Sequence, residues 1–279
     1  MPKTEIIKIA MDSDLSEMLN ALEEMENYID SFINVKAKSM NRRQVIVVGI
    51  YRAAVEYSSG IRIMLTKKPM TKVANVLLRS LFEAHGTLEY ITLRNDDIYL
   101  LKEIQKSLEG QKKSQEYIEN YFNDTGTDKI GNLEINKIRS NQNKVRESIE
   151  KVEQEIIKIE PDNTKIQYKP KFYKQLIQVD ELRIPKEPGK SIYYSYLILY
   201  PYLSAHTHFG MDGISNWLDV KGRTIYYNRS SETQDDVKRV VWTTLALLKD
   251  ISTRVMSELE AYDEDYDNKY QAIIDKHQK

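Results

Sequence analysis

Between residues 130 and 160 the apolar side chains fall on steps of three and four: Ile135, Ile138, Val145, Ile149, Val152, Ile156 and Ile159. A half-buried strand alternates every second residue, so this spacing calls for a helix seating one narrow stripe on another helix. Gln142 is the one break in the stripe, and Lys and Glu crowd its flanks. The pattern reads as a coiled-coil seam, closed either within the chain or across a dimer.

The rest of the chain is also written in helical periods. Leu15, Met18, Leu19, Leu22, Met25, Ile29 and Ile33 share a face of a first helix, with Asp12 or Ser13 as its cap. A second helix over 43–65 is apolar on most sides (VIVVGIYRAAV), which predicts a central, buried position. Lys67, Lys68 and Pro69 end it, and a third helix covers 71–93. A fourth helix begins near Asn95 and Asp97 and runs to about Phe122. Pro161, Pro170, Pro185 and Pro188 mark a connector around one short helix, KFYKQLIQV. A helix over 191–206 contains Pro201, and WLDVKGRTIYY reads as a hairpin turning at Lys221-Gly222. Ser230 or Ser231 is expected to cap a last long helix over 233–262.

The fold expected is therefore all-α: a helical bundle with a long antiparallel coiled-coil arm and one small β-hairpin. Residues 1–94 and 191–263 build the bundle, with the hairpin at 216–228. The arm is inserted at 95–160, the connector is 161–190, and 264–279 form a polar tail that leaves His277 in solvent.

Composition narrows the chemistry. With no cysteine among 279 residues, disulfides and thiolate metal sites are excluded. A formal net charge of -1 favours neither nucleic acid nor an anionic membrane in bulk. The N-terminus lacks the apolar core of a signal peptide, and no apolar run approaches the roughly 18 residues of a membrane span. A cytoplasmic location without membrane association is the expectation. Charge is nevertheless segregated. Residues 12–34 carry seven acids and no base, whereas 36–72 carry nine bases and one acid. These stretches read either as complementary neighbouring helices or as a basic strip for phosphates, with Arg42, Arg43, Arg52, Arg62, Lys67 and Lys68 as RNA-binding candidates.

Two polar pairs stand out inside apolar helices: Arg79 with Glu83 in VLLRSLFEAHGTLEYI, and Ser204 with His208 in YLILYPYLSAHTHFG. Residues four apart lie roughly 40° apart on a helix, so each pair shares a face. If the two helices pack together, the four groups can form one buried hydrogen-bonded network. As a buried structural ion pair, truncating Arg79 or Glu83 alone would cost about 2–5 kcal/mol. His206 and His208 lie roughly 200° apart on a helix and cannot face one ion there. No metal and no cofactor are expected.

The motifs Arg79-Ser80-Leu81-Phe82-Glu83 and Ser204-Ala205-His206-Thr207-His208 resemble those of a bacterial helical family of unknown function, with R-S/A-L-F-E on one helix and S-x-x-x-H on a later one. The likeness covers roughly 40–95 and 190–260, and implies a helical bundle with a polar cluster. Arg79 followed by His85, with five residues between, also resembles the signature of the HEPN superfamily of helical ribonucleases. That resemblance implies a metal-independent RNA endonuclease, acting as a toxin or phage-defence effector. Two protomers would pair around one RNA backbone. A histidine, His85 or His208, would act as general base on a 2′-hydroxyl, and Arg79 would stabilise charge on the phosphate. Glu83 and Ser204 complete the candidate site. The other reading is a non-enzymatic interaction or oligomerisation protein, a homodimer for example, in which the same cluster only pins the bundle.

Overall fold

The computed structural model describes residues 12–28, 33, 39–67, 70–94, 97–125, 132–159, 171–185, 191–205, 218–221, 224–227 and 233–278. Among these, nine helices carry the fold. They are α1 (Ser13–Tyr28), α2 (Arg42–Lys67), α3 (Thr71–Arg94), α4 (Asp97–Thr125), α5 (Asn132–Ile159), α6 (Phe172–Arg183), α7 (Ile192–Ala205), α8 (Gln234–Glu258) and α9 (Glu264–Lys276). Two short strands, β1 (Leu218–Lys221) and β2 (Thr224–Tyr227), pair antiparallel with Lys221 opposite Thr224. Lys221 thus ends a strand and is not part of the turn. The chain divides into two compact units, one from residues 1–93 and 171–279, the other from 94–170.

In the second unit α4 and α5 lie side by side. Gln105 donates to Glu153 (3.1 Å), and Gln142 donates to Glu119 (3.0 Å). Partner numbers rise along α4 as they fall along α5, so the helices are antiparallel and the seam closes within the chain. Leu101 with Val152 and Ile156 forms its core. Gln142, the break in the stripe, is buried, and Glu119 satisfies its amide. Ile159 lies beyond the seam and is 51% exposed.

In the first unit α8 is the central element, with Val237, Val240, Val241, Leu245, Leu248, Ile251 and Val255 buried along it. It packs on α1, α2 and α9. A capping box starts it: Asp236 N–H donates to Thr233 Oγ1 (3.2 Å), and Thr233 N–H donates to Asp236 Oδ2 (3.1 Å). Thr233 is therefore the cap, while Ser230 and Ser231 lie outside the described residues. The helix stops before Tyr262 because Glu260 turns left-handed (φ 54°) and Ala261 N–H closes onto the Met256 carbonyl (2.8 Å).

Two expectations are corrected here. The second helix is not buried on most sides: α2 buries Val47, Tyr51, Ala54, Ser58, Ile61 and Leu65, but Val45 and Ile63 on its other side are exposed. It is α8 that runs through the centre. Nor is 264–279 a polar tail. Asp263 caps α9, and Tyr266, Tyr270 and Ile274, four apart, form a buried stripe. The stripe is hidden in sequence by the acids around it. His277 is held by Glu17 (2.8 Å) and its side chain is almost fully covered.

Carboxylates tie α1 to the C-terminal helices: Asp12 to Lys238 (2.5 Å), Glu17 to Lys276 (2.7 Å), Glu24 to Lys269 (2.7 Å), and Asp263 to the Tyr28 hydroxyl. Hydrogen bonds from these partners hold all four carboxyls below their usual range, and the Asp263 contact pushes Tyr28 up to about 12. A depressed folded-state pKa gives stability that is present above the unfolded value and lost as pH falls through the folded one. Amide exchange in α1 should therefore stay constant above about pH 5 and accelerate toward about pH 3. Exchange in α1 that ignores pH over this interval, once intrinsic rates are corrected, would refute the role of these contacts.

Candidate functional site

Helix α3 carries Arg79, Glu83 and His85, and its neighbours decide what each can do. Gly86 lets it approach α6 closely. A Cβ there would lie 2.7 Å from a Leu176 methyl and 2.8 Å from the Phe172 ring. On the side facing α7, Arg79 Nε donates to Glu83 Oε1 (3.1 Å) and Nη2 donates to the Tyr200 hydroxyl (2.7 Å). Tyr200 in turn donates to Glu83 Oε1 (2.7 Å), closing a triangle. The guanidinium carbon lies 4.8 Å from the centre of the Tyr200 ring, within cation–π range. Tyr196 stacks on Tyr200 at 4.6 Å, and Phe172 of α6 meets both rings at 5.9 and 6.0 Å.

The electrostatics follow from these contacts. Burial alone draws the Arg79 pKa down, but Tyr200 and Glu83 outweigh it and the net shift is upward. Burial, reinforced by the Glu83 carboxylate, raises the Tyr200 pKa. Arg79 therefore stays cationic and Tyr200 stays a neutral donor near pH 7. The cluster is an ion pair with a hydroxyl bridging it, and its net charge is zero.

This differs from the expected site. Arg79 and Glu83 do meet, but the pair is half-buried, with side chains 20% and 41% exposed. Ser204 lies one turn beyond Tyr200 on α7, with its hydroxyl buried. His208 and His206 fall outside the described residues. The third member of the cluster is Tyr200, which the polar motifs of the sequence do not include. Its signal is present in the i, i+4, i+8 spacing of Tyr196, Tyr200 and Ser204, a face of α7 that begins before the Ser204–His208 motif.

His85 is not brought to Arg79. Six residues along α3 rotate it roughly 120° away, toward α8. There it is 4% exposed, with Nε2 3.9 Å from Asp250 Oδ2, too long for a hydrogen bond. Neither ring nitrogen is hydrogen-bonded within the described residues. Glu89, one turn further, is the most deeply buried acid of α3. Arg254 of α8 grips it at 3.1 and 2.9 Å, and Arg183 of α6 approaches to 3.8 Å.

The basic strip is divided among different environments. Arg62 is bound to Glu26 (2.9 Å) and Glu23 (3.3 Å) of α1, so the segregated charges meet there as neighbouring helices. Arg43 donates to Glu258 (2.9 Å) and to the Thr92 carbonyl (2.6 Å). Arg42 and Arg52 are exposed on α2, and the side chains of Lys67 and Lys68 lie outside the described ones. Among the described residues no group of His, Asp or Glu is placed to hold a metal ion, and no helix is long and apolar enough to cross a membrane.

The model of a family of unknown function, DUF5677, matches residues 44–225. The match runs from α2 through the helical arm to β2, and so takes in Arg79, Glu83, Tyr200 and the segment at 95–160, which lies outside the motif resemblance. No curated protein and no solved structure matches the chain. Nothing in these comparisons points to the HEPN superfamily.

Proposed function

The chain belongs to DUF5677, a family of unknown function, and on the geometry above we propose that it is a non-enzymatic helical interaction protein whose contact element is α7. One observation carries this reading. Helix α7, IYYSYLILYPYLSA, contains no charged residue. Ile192 and Leu203 face the core, yet Tyr194, Leu197, Ile198 and Tyr202 on the opposite side are 45–64% exposed. A helix apolar all round is one that protein covers on every side, and a contiguous exposed apolar patch marks an interaction surface. The Arg79–Glu83–Tyr200 triangle then acts mechanically, fixing the middle of α7 to α3.

The competing reading, metal-independent RNA cleavage, requires Arg79 and a histidine at one phosphate. Arg79 already serves Glu83 and Tyr200, and His85 is sealed on another face. Purified protein incubated with mixed RNA in EDTA is expected to leave it intact. Arg79→Ala should instead lower the unfolding free energy by about 1–2 kcal/mol, because half-exposed charged hydrogen bonds are partly screened. Cleavage by the wild type that disappears in Arg79→Ala would overturn the proposal.

A further inference from the structure

Resting on the reading of α7 as the contact element, we infer that its occupant is α7 of a second copy of this chain, antiparallel about a two-fold axis through Ile198. The exposed residues Tyr194, Leu197, Ile198 and Tyr202 recur at steps of three, one and four, the spacing by which one helix seats on another. Residues 194–202 read Tyr-Ser-Tyr-Leu-Ile-Leu-Tyr-Pro-Tyr, the same in both directions except for Ser195 and Pro201. On the exposed face, reversal about Ile198 sets Ile198 on its own copy and Tyr194 on Tyr202, while Tyr196 and Tyr200 of the same stretch are turned to α6 and α3 and the exposed Pro201 falls opposite Ser195. A two-fold interface requires this kind of self-match, since each patch must complement its own copy.

The surroundings supply a receptor for the end tyrosines. Beside the C-terminal half of α7 lies a groove of about 310 Å³, walled by Asn75 and Leu78 of α3, Tyr202 and Leu203 of α7, and Val240 and Thr243 of α8. Tyr194 is the most exposed residue of the stripe, at 64%. In the antiparallel arrangement Tyr194 of one copy comes over Tyr202 of the other, at the mouth of this groove. An aromatic side chain inserted into a pocket of the facing protein is the usual anchor of an interface.

Charge and length argue against other occupants. A nucleic acid would need a row of free cations along the ridge; α7 carries none, and Arg239 of α8 beside it is held by Asp236 (3.0 Å) and the Tyr202 hydroxyl (3.2 Å). The 14 residues of α7 span about 21 Å, short of the roughly 30 Å core of a bilayer. A second copy presents the same uncharged ridge, so no like charges meet along the seam.

The absence of native cysteine gives a direct test on the full chain. Ile198→Cys introduces one thiol at the proposed axis, and its unfolding midpoint verifies that the fold is kept. Under mild oxidation Ile198→Cys should form a disulfide-linked dimer. Tyr194→Cys alone should not, whereas Tyr194→Cys mixed with Tyr202→Cys should. Equal cross-linking of Tyr194→Cys alone would overturn the antiparallel register. A chain that stays single, with its Ile198→Cys thiol open to maleimide, would overturn the second copy as occupant while leaving α7 an uncovered contact surface. A single chain whose thiol at 198 is closed to maleimide would overturn both readings.

Discussion

Glu89→Ala should lower the unfolding free energy by about 3–5 kcal/mol, the largest effect expected of any single truncation in the first unit. Glu89 is 2% exposed, and its two oxygens receive Nε and Nη2 of Arg254 at 3.1 and 2.9 Å. Arg183 adds a second guanidinium at 3.8 Å. One carboxylate thus joins α3 to both α6 and α8. Removing it takes the shared carboxylate from two guanidiniums, 9% and 25% exposed, and breaking such a pair costs far more than the pair contributes. Glu89→Gln keeps the volume and an acceptor but not the charge, and should lose less. Chemical unfolding of the three proteins decides the matter: a Glu89→Gln midpoint equal to that of the wild type would mean that charge plays no part.

Asp180→Ala should be the second most damaging change, at about 2–4 kcal/mol, with its effect concentrated in α7. Asp180 sits on α6, 7% exposed, yet it caps a different helix. Its carboxylate accepts the Ile192 N–H (2.9 Å), the Tyr193 N–H (3.1 Å) and the Ser191 hydroxyl (2.5 Å). Ser191 Oγ then accepts the Tyr194 N–H (2.9 Å). Three of the four donors left open at a helix start are satisfied this way, and a negative charge lies where the helix dipole favours it. In Asp180→Ala the amides of Ile192, Tyr193 and Tyr194 should lose hydrogen-exchange protection before those of α8. If protection falls equally in both helices, the cap is not what holds the start of α7.

What sequence could reveal here depended on how far apart the interacting groups lie along the chain. The seam of α5 is legible because its signal is local and periodic, and even its flaw, Gln142, has a structural answer in Glu119. The pair Arg79 and Glu83 is legible for the same reason, being one turn apart. The deeper acid on that helix, Glu89, has partners 94 and 165 residues away, and no spacing rule reaches them. Tyr200 escaped for a different reason. In a helix crowded with tyrosines, the spacing of Tyr196, Tyr200 and Ser204 marks a shared face but not which hydroxyl on it is claimed by another helix. The stripe of α9 was masked by composition, because Asp and Glu around Tyr266 and Tyr270 suggest solvent although every fourth residue is buried. The capping of α7 by Asp180 is also non-local, crossing a connector of undistinguished sequence.

Two copies of the chain are proposed to associate through the exposed ridge of α7. Sedimentation velocity of the full chain, wild type against Leu197→Glu, tests this association most directly. Leu197 is 52% exposed, so the added charge should not disturb the monomer fold. The wild type is predicted to sediment with twice the chain mass as concentration rises, while Leu197→Glu stays single with an unchanged unfolding midpoint. Identical sedimentation of the two proteins at every concentration would contradict it.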